Sequence, residues 1–207
     1  MSQSDDRGLS TIDQLRRAVA AIQEGGGDGG IVDEQLEERL APLKNKATRL
    51  ISHRDRSVEE LRRRLADTTG QDGDTADPEL VDLVVERCIA NGMLDDRRFA
   101  HEWVRQRHLN QRKSVSVLRR ELTDKGVPAP VIAEALEQVR DDDQEAILRE
   151  LVTKKAGTVS QVPADRREYD KALRRIVGVG ARRGFPEGRC LVLAREALDL
   201  RIEELRR

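Results

Sequence analysis

Aromatic side chains are nearly missing from this sequence of 207 residues: Phe, Tyr and Trp together number four. So few large rings make a thin supply for one compact core, and they suit several small cores built from Leu, Val, Ile and Ala. Cysteine is just as scarce. Cys88 and Cys190 lie far apart on apolar stretches, and two residues make no disulfide framework. Both read as small core residues. No apolar run approaches the roughly 18–20 residues of a membrane span. The opening MSQSDDRGLS has neither the basic start nor the apolar run of a secretion signal, so a cytoplasmic protein with no membrane partner is expected. Alternating β-branched runs bounded by turns are absent as well, which excludes a sheet protein.

The chemistry of an active site is also lacking. The sequence holds no GxxxxGK[ST], no GxGxxG and no GxSxG, so neither a phosphate loop nor a nucleophile elbow can be placed. Its three histidines are His53, His101 and His108, and the latter two have no Cys or carboxylate at ligand spacing between them. Gly178-Val179-Gly180-Ala181-Arg182 follows no strand, so it does not cradle a phosphate. Asp141-Asp142-Asp143 reads as a solvated helix start, where negative charge suits the helix dipole. No enzyme, metal or cofactor is expected.

What is present is charge and helix former in quantity. Charged residues are 37% of the chain, and the formal net charge is −1. That near-neutrality hides an asymmetry. Residues 1–43 carry nine acidic and four basic side chains, and the remainder carries 30 and 34. A mildly basic body thus follows an acidic leader, which is compatible with nucleic acid or an acidic protein partner without demanding either. The leader holds an amphipathic stretch (Ile12, Leu15, Val19, Ile22), a run of five glycines within Gly25–Gly30, and a second stretch that ends at Pro42. It reads as a flexible extension with nascent helices.

From Lys44 onward the sequence repeats. Ser57-Val58-Glu59-Glu60-Leu61-Arg62-Arg63-Arg64-Leu65-Ala66-Asp67 matches Ser114-Val115-Ser116-Val117-Leu118-Arg119-Arg120-Glu121-Leu122-Thr123-Asp124 at seven of eleven positions. A weaker third copy, Leu173-Arg174-Arg175-Ile176-Val177, follows at nearly the same interval, with Leu173 in the place of Leu61 and Leu118. Each unit reads as three helices: 47–54, 57–68 and 78–91 in the first; 97–109, 114–125 and a helix opened by Pro128 or Pro130 in the second; 144–156, 166–178 or slightly beyond, and 187–200 in the third. The Ser and Asp caps, the glycine stops and the first-turn prolines set these limits. The expected architecture is all-α, an elongated array of three tandem three-helix repeats at 44–94, 95–140 and 141–207 behind the extension 1–43. Phe99 and Trp103, one turn apart, belong to the core of the second repeat.

A doubled arginine follows a core leucine on each second helix: Arg62-Arg63, Arg119-Arg120 and Arg174-Arg175. At 100° per residue these cations flank the side away from that leucine. Residues 97–120 hold eight basic and one acidic side chain, and 153–183 hold nine and three. A repeated cationic face is therefore expected, since repeat proteins bind along one continuous surface. Its members are Arg105, Arg107, Arg112, Lys113, Arg119 and Arg120 in the second repeat, and Lys171, Arg174 and Arg175 in the third.

Several of these strings together resemble a known family. Arg54-Asp55-Arg56-Ser57 through Leu65 resembles the R-x-R-S-x-x-E-L-x-x-x-L opening of RecX proteins. Leu94-Asp95-Asp96-Arg97-Arg98-Phe99-Ala100 looks like their acidic-pair, Phe-Ala string. Leu118 to Leu122 with Lys125-Gly126-Val127, and the late Arg183-Gly184-Phe185, follow in the family's order. The resemblance spans about residues 44–200 and leaves the leader outside. It implies a curved helical array that lies along the RecA filament on single-stranded DNA and either restrains its ATP hydrolysis, strand exchange and co-protease activity or blocks its extension. It also implies a monomer with at most weak direct DNA contact. A stand-alone DNA-binding helical module is the alternative, although a body of only modest positive charge speaks against it.

Overall fold

The structure is a computed structural model that describes residues 34–67 and 75–207. Those residues form nine helices and no strand. The first unit is α1 (Glu34–His53), α2 (Val58–Ala66) and α3 (Pro78–Ala90). The second is α4 (Asp96–Gln111), α5 (Val115–Asp124) and α6 (Ala129–Leu136). The third is α7 (Asp141–Ala156), α8 (Arg166–Ala181) and α9 (Glu187–Arg206). Helices pack mainly within their own unit, so the apolar residues separate into three small cores rather than one.

Local signals set the helix starts. Ser57 Oγ accepts the Glu60 N–H at 3.1 Å, and Ser114 Oγ accepts the Val117 N–H at 3.4 Å. Asp95 takes the N–H groups of Arg97 and Arg98, and Asp77 caps α3 just ahead of Pro78. The first core gathers Leu61, Leu65, Val81, Val84 and Val85 around α1. The second is built on Phe99, whose ring centroid lies 5.5 Å from that of Trp103. In the third, Gly180 lets α8 approach its neighbours, because a Cβ there would stand 2.6 Å from both Cys190 Sγ and Leu148 Cδ1. Gly180 thus serves helix packing. Cys88 and Cys190 are free and buried in the first and third cores, and burial pushes both thiols up.

The beginning of the first unit differs from the sequence expectation. α1 starts at Glu34 rather than near Ala47 and runs through Pro42. It carries Leu40, Leu43 and Ala47 into the core at 0, 4 and 0% exposure. A helix-interior proline costs about 3 kcal/mol, and burying two leucines returns about 1.5–3 kcal/mol each, so the core overrides the breaker. The boundary at residue 43 therefore cuts a continuous helix. Of the extension expected over residues 1–43, residues 1–33 lie outside the described residues. α7 begins three residues earlier than expected, and α9 reaches Arg206 because Ile202 is still buried.

The units are joined by one device used twice. In the first joint, Ser57 Oγ donates to the Lys125 carbonyl at 2.6 Å and the Val58 N–H donates to Asp96 at 2.9 Å. In the second, the Ser114 N–H donates to the Arg183 carbonyl at 3.0 Å and the Val115 N–H donates to Gln144 at 3.0 Å. Each time, the cap of one unit's second helix receives the Lys-Gly or Arg-Gly turn of the next unit. Gly126 (φ +74°) and Gly184 (φ +82°) sit in those turns, where a Cβ would overlap Glu59 and Val117 respectively. Ion pairs reinforce both joints: Lys125 to Glu60 at 3.1 Å, and Arg112 to Glu150 at 2.8 Å.

A candidate cationic interaction surface

Of the nine basic residues expected to form a working face, the structure brings only some to a free surface. Arg107, Arg112 and Lys113 are engaged. Arg107 stacks 3.5 Å from the Trp103 ring centroid and lies 3.6 Å from Glu121. Lys113 also pairs with Glu121, which in addition accepts the Trp103 indole N–H at 3.1 Å. Arg112 adopts the left-handed conformation (φ 55°) at the end of α4 and pairs across the second joint. These three cations hold the second unit together and tie it to the third. Arg105 is exposed but bonded to Glu102 of its own helix, and the hydrogen bonds from Arg105 and Gln106 hold that carboxyl at about 2.

The other five are exposed and make no side-chain ion pair among the described residues: Arg119 and Arg120 on α5, and Lys171, Arg174 and Arg175 on α8. Their counterparts in the first unit are not free. Arg62 bonds Asp82 at 2.8 Å and Glu59 at 3.1 Å, while Arg63 bonds Glu59 at 2.9 Å and the Asp124 carbonyl at 3.3 Å. Asp82 of α3 serves Arg62 alone, whereas one position on α2 serves both arginines. Glu59 stands three and four residues ahead of its arginines, within helical pairing distance. With Leu61, Leu118 and Leu173 aligned, the equivalent residues are Ser116 and Lys171. The doubled arginine is thus neutralised in the first unit and released in the other two.

On α8 the free charge is a longer stripe than the sequence reading assigned. Arg167, Lys171, Arg174, Arg175 and Arg182 fall within about 100° of arc and span about 22 Å, opposite the buried Leu173, Ile176 and Gly180. Arg167 and Arg182 were missing from the expected set, although the spacing 167, 171, 175 carries a helical period. Gly178 makes room for Arg182, whose guanidinium would lie 3.0 Å from a Cβ at that position. The stripe presents five cations that a polyanion or an acidic protein face could neutralise.

Elsewhere the polar groups have structural assignments. His108 is 7% exposed, and its Nδ1 lies 3.3 Å from the Lys113 carbonyl and 3.2 Å from the Gln144 amide nitrogen at the second joint. Asp96 is pushed up by burial, against the hydrogen bond it accepts from the Val58 N–H. Glu60 goes the other way. Burial would raise it, but hydrogen bonds from Arg54 and Lys125 prevail and hold its carboxyl below the usual range. No group of three or more His, Cys, Asp or Glu among the described residues could hold a metal ion. No helix among them is long and apolar enough to cross a membrane.

Comparison with known proteins places this arrangement. Residues 95–136 match the family model described as RecX, second three-helix domain. The chain is 43% identical over 198 residues to the regulatory protein RecX of Corynebacterium efficiens, covering 94% of this chain and 91% of that one. It is 36% identical over 162 residues to the regulatory protein RecX of Amycolatopsis mediterranei, covering 78% and 86%. Among solved structures, the crystal structure of RecX from Lactobacillus salivarius superposes with a TM-score of 0.61 at 21% identity, covering 79% of this chain and 98% of that one. That likeness establishes a shared helical repeat fold.

Proposed function

The chain belongs to the RecX family, and from that premise we propose that it regulates the RecA recombinase by binding its filament on single-stranded DNA. The observation that carries this reading is the release of unpaired arginines at equivalent places in successive units, Arg119-Arg120 and Arg174-Arg175. A filament presents the same surface at regular intervals. A body with repeated cationic places in fixed relation engages such a polymer by several modest contacts that act together. Binding along the filament restrains ATP hydrolysis, strand exchange and co-protease activity. The protein acts as a cytoplasmic monomer and needs no cofactor. Arg119, Arg120, Lys171, Arg174 and Arg175 make the contacts, with Arg105 at their edge, while Arg107, Arg112 and Lys113 hold the scaffold behind them.

The test is to add the purified protein to RecA on single-stranded DNA and to follow ATP hydrolysis and filament length. Inhibition at near-stoichiometric protein is expected, and its absence refutes the reading. Reversing both charges on α5 (Arg119→Glu with Arg120→Glu) should relieve inhibition while leaving the helical signal intact, because both side chains are exposed and unpaired. Tight binding of RecA-free protein to DNA with a steep salt dependence would instead favour direct DNA recognition.

A further inference from the structure

We propose that the third unit carries a pocket for a nucleoside phosphate, taken either as a free nucleotide or as the phosphorylated end of a nucleic-acid strand. The pocket is a cleft of about 310 Å³ between the turn that follows α7 and the outer side of α8. Lys155, Lys171 and Arg175 line it, and none of the three makes a side-chain ion pair or hydrogen bond among the described residues. Three cations thus line one cleft without a counter-charge from the protein, and a bound dianion supplies it. The Ser160 hydroxyl on the rim adds a donor without a partner. Thr158 is occupied differently: its hydroxyl donates to the Lys155 carbonyl at 2.7 Å and pins the turn. The one carboxylate on the wall, Glu168, is drawn toward the start of α8 by the Ala164 N–H at 2.9 Å. Val159 and Ile176 give the cleft an apolar side, and a volume near the lower end of small-ligand pockets exceeds what a bare phosphate fills. A phosphate with an attached base and sugar suits both parts.

The repeat explains why the cleft stands open. In the first unit, Glu59 packs against Gly126 of the next unit and Arg63 bonds the Asp124 carbonyl. In the second, Val117 packs against Gly184. In the same alignment the equivalent residues of the third unit are Lys171, Ala172 and Arg175, all of which line the cleft. Among the described residues, no further unit covers them. The face that serves as a joint twice is left uncovered by the described residues the third time, and its acidic or neutral residue (Glu59, Ser116) is a lysine, Lys171.

The experiment uses the full chain without recombinase, so its outcome is independent of the filament assay. ADP, and a short single strand with either a 5′-phosphate or a 5′-hydroxyl, are titrated by calorimetry at low salt. Saturable binding of ADP identifies the free nucleotide. A preference for the phosphorylated strand, with ADP unbound, identifies the strand end. In either case Lys171→Ala with Arg175→Ala should weaken binding about tenfold or more, and Arg64→Ala, an exposed cation of the first unit, should leave it unchanged. The proposal is overturned if neither ligand saturates by millimolar concentration. Equal affinity for the two strands with no ADP binding overturns it too. So does a correctly folded double variant that binds like the parent.

Discussion

Replacing Gly126 by alanine should unlock the first joint, and a second glycine supplies the control. Gly92 and Gly126 have the same positive φ, +74°. Placing a Cβ in that left-handed region costs about 1–2 kcal/mol. At Gly92 the added methyl meets nothing within 4 Å, so Gly92→Ala should show only that backbone term. At Gly126 it would overlap Cβ and Cγ of Glu59, atoms too close to the α2 backbone to swing aside. Relief requires the two units to move apart, and overpacking of this kind adds about 1–3 kcal/mol. Separation also threatens the hydrogen bonds from Ser57 to the Lys125 carbonyl and from Val58 to Asp96. The expected loss is therefore about 1–2 kcal/mol for Gly92→Ala and about 2–5 kcal/mol for Gly126→Ala. In a chain of this size each kcal/mol lowers Tm by about 2–4 °C. Thermal unfolding followed by circular dichroism distinguishes the two. Because repeat arrays gain stability from each unit plus each interface, the Gly126 variant should also lose cooperativity, with the first unit melting apart from the others. Equal Tm values for the two variants would refute the assignment of Gly126 to the joint.

Glu60, held below its ordinary range by Arg54 and Lys125, contributes stability that is present above its unfolded value near 4.5 and is lost as pH falls through its lower folded value. Tm of the parent should therefore fall more steeply than that of Glu60→Gln as the solution is taken below about pH 4.5; parallel curves would show that the carboxylate is not coupled to folding. Asp96 has the opposite sign. Burial raises it, so its ionised form is disfavoured in the folded state at neutral pH, and Asp96→Asn, which keeps an oxygen for the Val58 N–H, should raise Tm at pH 7 and lose that advantage in acid. A lower Tm at pH 7 would contradict this. Leu40→Ala should cost about 2–5 kcal/mol, measured by urea unfolding, since Leu40 is fully buried in the first core. A loss of no more than about 0.5 kcal/mol, the range of surface substitutions, would place the early part of α1 outside that core.

Much of the scaffold is legible in the sequence because the signals are local. Ser57 and Ser114 stand where a cap must accept an orphan N–H, and Gly126 and Gly184 stand where a helix must stop in a left-handed turn. The start of α1 was hidden for the opposite reason. Pro42 is a local breaker, and the burial that overrides it depends on α2 and α3, which follow it in the chain. The same distinction divides the arginines. That Arg119 and Arg120 point outward follows from helical period, whereas the reach of Arg107 and Lys113 to Glu121 depends on how α5 packs beside α4. No spacing rule separates an exposed cation from one committed, as Arg107 and Lys113 are, to a carboxylate on the next helix. The joints were the least visible. Lys125-Gly126 reads as an ordinary helix stop and Arg183-Gly184 as the approach to the last helix, and their second role appears only when the neighbouring unit is in place.

The way the units join also has a mechanical consequence. Each core is sealed within its own unit, while the contacts between units are chiefly hydrogen bonds and ion pairs at the edges of helices. Stiffness is therefore concentrated inside the units and compliance at two places, one between α2 and α5 and one between α5 and the turn after α8. Strain imposed on the body would be taken up at those places first, leaving the three cores intact. Such a chain of three firm segments can follow a track whose spacing changes, and can yield at one joint while the others keep hold.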